Sequence, residues 1–164
     1  MGELLLIGSE KGLCTIRFLR GDSDLEATLH AVSDSVGGSI PRDDDYFSSA
    51  RQGLDRYFSG RKEDFRDVET DFRLGTAYQA RVWAAARNIP YGRTAAYREL
   101  AHRLGHAGYR SVGQALNRNP LLIIVPCHRV VAADGGIGGF GAGLELKRRL
   151  LALEGIDLQT FGLA

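Results

Sequence analysis

The stretch TAAYRELAHRLGHAGYRSVGQAL, residues 94–116, decides how the second half of this chain is read. Thr94 is placed to cap a short helix carrying Tyr97, Leu100, Ala101 and Leu104 at helical spacing. The glycines from Gly105 to Gly108 break it, and Arg110-Ser111-Val112-Gly113-Gln114-Ala115-Leu116 predicts a second short helix before Asn117–Pro120. Two short helices about a glycine turn, the second opening on an arginine and small residues, make a helix-turn-helix pattern. Any αα-corner produces a similar pattern, so the charge around it matters. Residues 73–129 hold nine arginines and one acid, Glu99, whereas residues 1–72 hold nine basic residues against fifteen acidic ones. The net charge of +1 conceals this segregation. An arginine-rich segment nearly free of acid suits a polyanion, which makes DNA the leading partner. The competing reading spreads those arginines over several faces, paired with the acidic first half.

Downstream, Leu121–Val125 is a continuous aliphatic run that reads as a buried strand, followed by Pro126-Cys127-His128-Arg129. A cysteine delivered to a strand's end beside a histidine is a candidate nucleophile, because a neighbouring base or cation supplies the thiolate. Most free cysteines are small buried hydrophobes, and that reading of Cys127 stays open here. Residues 135–143 hold six glycines with Ile137 and Phe140 among them. With no Gly-Lys-Ser/Thr following, this suits a loop lining a pocket for a planar ligand better than a phosphate loop. A closing helix, Leu144–Leu153, turns Leu146, Leu150 and Leu153 inward and ends at Gly155. Glu154 stands at its last turn, where the helix dipole disfavours a carboxylate, and so invites a partner such as His128.

Upstream, Thr76 opens a helix with Tyr78, Val82 and Ala85 or Ala86 on one stripe, ended by the turn Asn88–Gly92. Before residue 72, Leu4–Ile7 and Leu13–Phe18 flank Gly8–Gly12 as a β-hairpin with a longer loop. Ser23 or Asp24 caps a helix to about Val32, Gly37–Pro41 breaks the chain, and Asp43–Asp45 opens a helix running to Phe58. Phe65, Val68 and Phe72 suggest an edge strand or an extended linker. The expected architecture is therefore an α/β N-terminal domain, a small sheet with helices, over residues 1–72. A mostly α C-terminal domain with the helix-turn-helix covers residues 73–164. Two cysteines, Cys14 and Cys127, give neither a disulfide framework nor a Cys-rich zinc site, so no metal is expected. Leu4–Ile7 is too short for a signal-peptide core or a membrane span, which points to a soluble, cytoplasmic protein.

Ile124-Val-Pro-Cys-His-Arg-Val130, with Thr76-Ala-Tyr-Gln, Ile89-Pro-Tyr-Gly-Arg-Thr and Tyr97-Arg-Glu-Leu-Ala upstream, resembles the O⁶-alkylguanine-DNA alkyltransferases. The resemblance runs from about residue 74 to 155 and is loose in the N-terminal half. It implies a suicide repair protein that flips O⁶-alkylguanine from duplex DNA and moves the alkyl group onto its own cysteine, once, without a cofactor. Carried over by position, Cys127 is the acceptor, His128 its base through a bound water, and Glu154 the group that holds and balances the histidine. Asn119 bridges the helix-turn-helix to the active site. Tyr97 presses on the phosphate beside the flipped nucleotide and donates to the guanine. Arg110 fills the gap in the base stack, while Ser111, Gly113 and Gln114 lie on a recognition helix in the minor groove. Ile137, Phe140 and Gly141 line the substrate pocket. The implied partner is double-stranded DNA bearing alkylated guanine, with no membrane or protein partner required and a monomeric state.

This chain departs from the family pattern in three places. Phe140 stands where a tyrosine is usual, Gly141 where some members have serine, and Tyr109 where small residues often face the groove. Two other classes remain open on the residues alone. One is a cysteine hydrolase using Cys127 and His128, which adjacent residues on an extended chain would direct to opposite sides. The other is a non-catalytic DNA-binding module with Cys127 as core. In the alkyltransferase reading Cys127 and His128 are expected to form a thiolate–imidazolium pair.

Overall fold

A computed structural model describes residues 3–19, 21–36, 40–43, 45–105 and 108–161. Leu4–Ser9 (β1) and Gly12–Phe18 (β2) pair antiparallel, from Leu4 opposite Phe18 to Ser9 opposite Gly12. The turn is only Glu10-Lys11, tighter than the expected loop, because a register shift at Ile7/Gly8 carries the pairing on through both glycines. β2 is buried over its first five residues because other chain segments dock on it. Leu13 bridges Thr70 in the extended segment that includes Val68 and Phe72, and Ile16 bridges Leu121 of the second half. That segment is thus an extended linker with one parallel bridge, and no strand is assigned there.

The helices are Asp22–Val36 (α1), Ser48–Phe58 (α2), Ala77–Arg87 (α3), Tyr97–Arg103 (α4), Tyr109–Asn117 (α5) and Leu144–Leu153 (α6). α1 runs a turn beyond Val32. α2 starts later than Asp43–Asp45 because Asp43 Oδ1 instead accepts from the backbone N–H of Asp45 and Tyr46, closing an Asx turn before the helix. α3 opens on a capping box: Thr76 Oγ1 accepts from Gln79 N, and Gln79 Oε1 accepts from Thr76 N. Residues 37–39 of the expected break, Asp44, and residues 106 and 107 between α4 and α5 lie outside the described residues.

Two expectations fail at the centre of the molecule. Thr94 does not cap α4; Ala95–Ala96 (β3) intervenes and pairs in parallel with Val130–Val131 (β4), leaving Ala96 as N-cap without a side-chain bond. Leu121 and Ile123–Val125 are buried as expected and Leu122 half-buried, but the run is not a strand. It folds on itself: Val125 N donates to Leu121 O and Ile124 N to Leu122 O, and Ile123 takes a positive φ of 74°. A β-branched residue in that region is strained and persists only where its surroundings over-determine it. Here Asn119 clamps both ends of the turn, accepting from Leu121 N at 2.9 Å and donating to Val125 O at 2.9 Å. Asn119→Ala leaves the fully buried Leu121 N–H unmatched. The expected loss is about 2 kcal/mol or more, read as a fall in Tm.

One buried cluster spans residue 72 without interruption. Leu13 and Ile16 of β2, Leu54 and Tyr57 of α2, Trp83 of α3, Val112 of α5, Leu121 and Leu150 all belong to it. Trp83 donates Nε1–H to Ala115 O at 2.8 Å, tying α3 to the last turn of α5. Among the described residues no helix is long and apolar enough to cross a membrane.

Candidate active site

Pro126 and the folded turn before it deliver Cys127 as the first residue of a single 3₁₀ turn, Cys127–Arg129. Cys127 is 4% exposed, and Asn119 Nδ2 donates to its Sγ at 3.0 Å. Burial pushes the Cys127 thiol up to about 11, against the opposing pull of the Asn119 amide and the Lys147 ammonium. Burial likewise pushes the neighbouring His128 imidazole down, against the pull of Glu154. Both directions favour thiol and neutral imidazole over the expected thiolate–imidazolium pair, because burial takes both charges out of water.

Glu154 holds the His128 imidazole. His128 Nε2 lies 2.7 Å from Glu154 Oε1, with both side chains fully buried. Arg129 donates from Nε and from its second terminal nitrogen to the same carboxylate, at 2.8 to 3.1 Å, and its first terminal nitrogen donates to Ile89 O. Gly92 N and the Tyr57 hydroxyl complete the shell around Glu154. Burial alone would raise this carboxyl, but the hydrogen bonds from His128 and Arg129 overcome it and hold it at about 2. A carboxylate carries no proton, so His128 Nε2 carries the hydrogen of that bond and Nδ1 is the basic nitrogen. His128 Nδ1 is buried and has no protein hydrogen-bond partner among the described residues.

Lys147 of α6, fully buried, donates to Val130 O at 2.7 Å and to Gly139 O at 3.1 Å. Burial lowers its ammonium to about 8. Tyr97 shares the Gly139 carbonyl, donating to it at 3.1 Å, and the Lys147 ammonium lies 6.0 Å from the Tyr97 ring centre. The β3–β4 pairing makes this possible, since it sets Tyr97 beside the chain that leaves Arg129. The glycine loop then closes onto Tyr97: a Cβ at Gly138, where φ is +72°, would meet the Tyr97 ring at 2.9 Å.

Of the expected pocket residues, Ile137 is buried and Phe140 packs on the core. Gly141, together with Cys127, lines a cavity of about 610 Å³ that opens between β2 and α1 on one side and Leu116–Asn119 on the other. A serine at 141 would place its Cβ 2.7 Å from Asn117 O, so this loop is built for glycine.

On α5, Arg110 and Gln114 are exposed, as is Tyr109. Ser111 and Gly113 are half-buried: Ser111 donates to Gly108 O and lies within 2.8 Å of the Tyr78 hydroxyl, and Gly113 lies against the Tyr97 ring. The arginine-rich segment divides. Arg129 is buried in the Glu154 cluster, Arg73 pairs with Asp71, and Arg87 donates to Phe65 O, Val68 O and Thr70 Oγ1. Arg93, Arg98, Arg110 and Arg118 are exposed and form no ion pair among the described residues.

Sequence profiles described as the 6-O-methylguanine DNA methyltransferase ribonuclease-like domain and DNA binding domain match residues 1–72 and 77–156. The chain belongs to the 6-O-methylguanine DNA methyltransferase family. A methylated-DNA–protein-cysteine methyltransferase of Methanosarcina barkeri is 40% identical over 97% of this chain and 94% of its own. The O⁶-methylguanine methyltransferase of Mycobacterium tuberculosis superposes with a TM-score of 0.75 at 42% identity, covering 93% of this chain and 86% of that one. The same organism's protein in complex with DNA gives 0.75 at 39% identity, covering 98% and 92%.

Within this family member, sequence reading placed Cys127, His128, Glu154, Asn119 and Tyr97, and the structure brings the first four into one connected group. It missed Tyr57, Arg129 and Lys147. Arg129 sits inside the motif itself, where the arginine excess of residues 73–129 masks it as one more surface cation. Lys147 could have been found from its place among Leu146, Leu150 and Leu151, since a lysine on the inward face of a helix requires a reason. Tyr57 carried no signal, being an aromatic residue on an ordinary apolar stripe.

Proposed function

We propose that this protein repairs duplex DNA by direct reversal, extruding O⁶-alkylguanine and transferring its alkyl group irreversibly to Cys127. The supporting observation is a buried thiol beside an imidazole that Glu154 locks through Nε2, leaving Nδ1 bare and basic. His128 Nδ1 takes the Cys127 proton through a water molecule, the sulfur attacks the alkyl carbon, and the carbon–O⁶ bond breaks as guanine departs. Asn119 and Lys147 stabilise the thiolate as it forms, since both oppose the burial that keeps it protonated. Tyr97, on the loop side of the thiol, supplies the hydroxyl that eases departure of the guanine anion. The absence of a loop hydroxyl at Phe140 leaves that task to Tyr97 and backbone N–H groups.

The DNA face is α5 with Arg110, Gln114, Gly113 and Ser111. Extruding the base requires roughly a few kcal/mol, offset by pocket contacts and by Arg110 filling the stack. Arg110→Ala is expected to slow transfer from duplex at least tenfold. Affinity for undamaged DNA should weaken modestly, and the slope of log affinity against log salt should fall by about 1. Single-turnover kinetics and anisotropy titrations at several salt concentrations measure both. With DNA as its substrate, we place the protein in the cytoplasm, acting on duplex as a monomer.

The direct test is the intact mass after incubation with duplex containing O⁶-methylguanine, followed by peptide mapping. One methyl per chain on Cys127, with Cys14 unmodified, is the expected outcome. An unchanged mass with tight lesion binding retained would make this a damage-recognition module, and turnover of a thioester would make it a hydrolase.

A further inference from the structure

The N-terminal half contributes one polar side chain to the Glu154 cluster. Tyr57 of α2 is fully buried, and its hydroxyl donates to Glu154 Oε1 at 2.7 Å. This is the oxygen that His128 Nε2 also engages, and the Tyr57 hydroxyl lies 3.4 Å from Nε2 itself. Its ring is held edge-on by Phe58 and Tyr91 and tilted against Phe65, so the hydroxyl has little freedom. Tyr91 packs in the same group but sends its own hydroxyl to Leu153 O, a backbone carbonyl at the end of α6. A buried tyrosine needing only satisfaction could do as Tyr91 does. Tyr57 spends its hydrogen bond on the carboxylate oxygen that orients the base.

We infer that Tyr57 is a positioning residue of alkyl transfer, through which the N-terminal half fixes Glu154 and so sets the basicity of His128. This rests on the reading that Cys127 is the acceptor and His128 its base. The groups facing His128 are Glu154 at the end of α6, Lys147 within α6, the adjacent Arg129 and Cys127, and Tyr57 from α2. A carboxylate oxygen shared among Tyr57, Arg129 and His128 pulls less on the imidazole than one relieved of the Tyr57 donor. Burial and the Glu154 charge push the Tyr57 phenol far up, so it remains a donor throughout the working pH range. Without that hydroxyl, His128 holds a proton more tightly and stays in the protonated, non-basic form to higher pH.

The test is single-turnover methyl transfer by full-length Tyr57→Phe across about pH 5–9. The expected result is an acid limb moved up by about one pH unit, with the rate reduced up to about tenfold on that limb and approaching wild type above it. Leu54→Val, on the same helix and buried in the same core, should lower Tm while its profile superimposes on wild type. A Tyr57→Phe profile that also superimposes, with only Tm reduced, overturns the inference and makes Tyr57 a core residue. Failure of the wild type to transfer at all would instead overturn the reading of Cys127. Should Tyr57→Phe not fold, nitrogen NMR of the wild-type histidines decides. An Nε2–H tautomer of His128 with a slowly exchanging Tyr57 hydroxyl proton supports the inference, and an Nδ1–H tautomer or a freely exchanging hydroxyl overturns it.

Discussion

Cys127→Ala is expected to abolish alkyl transfer while lesion binding stays within a few-fold of wild type. The thiol is the only group in the cluster with the softness and nucleophilicity to displace an alkyl carbon, so nothing else in the site substitutes for it. Removing a side chain this small from beside Asn119 leaves α5 and its arginine in place, which is why affinity should persist. Intact mass and anisotropy on the same preparation separate the two effects. Methylated Cys127 is the complementary case. Cys127 is 4% exposed and its sulfur lies 3.0 Å from Asn119 Nδ2, so an added methyl must displace packed neighbours and weaken that hydrogen bond. Overpacking of this kind costs about 1–3 kcal/mol, and the reacted protein should melt several degrees below the unreacted one. An equal Tm after reaction would show that the cavity beside Cys127 absorbs the methyl without strain.

Glu154→Gln is expected to be the most destabilising single change in the site and to slow transfer by roughly two orders of magnitude. Arg129 is 3% exposed, with three of its hydrogen-bond contacts made to Glu154, and neutralising the carboxylate strands its charge in the core. Breaking a buried pair from one side costs about 3–5 kcal/mol, which for a chain of this size is roughly 10 °C in Tm. Transfer suffers separately, because an amide can offer its N–H to His128 Nε2 and invert the tautomer. The same carboxylate is expected to make the wild type acid-sensitive. Glu154 titrates at about 2 in the folded protein, below its ordinary value of 4.5, so it stabilises the fold fully above that ordinary value. That contribution is lost as pH falls from about 4.5 towards 2. Thermal melts between neutral pH and pH 3 should show the decline in wild type, and a shallower one in Glu154→Gln.

The limits of sequence reading show at particular residues. Glu154 was recognised as misplaced at a helix end, and the structure supplies the reason in Arg129, His128, Tyr57 and Gly92, gathered around it from other parts of the chain. Leu121–Val125 has the composition of a strand and the burial of one. It lacks a partner strand along its length, so Asn119 and its own carbonyls take up its backbone groups and it becomes a turn. Thr94 has the chemistry of an N-cap, yet β3 pairs with β4 just after it and moves the helix start to Tyr97.

The sequence by itself determined most of the helices and the Pro126–Arg129 motif. Helical spacing, the Thr76 capping box, the glycine breaks and Pro126-Cys127-His128-Arg129 are all encoded within a few residues of one another. The tertiary structure alone decided the protonation states and the partners of that motif. Whether Cys127 is thiol or thiolate, and which nitrogen of His128 is basic, depends on burial and on charges brought from α2, α6 and the Arg129 turn. Desolvation and Coulomb interaction act through space, and separation along the chain, 71 residues between Tyr57 and His128, carries no information about them.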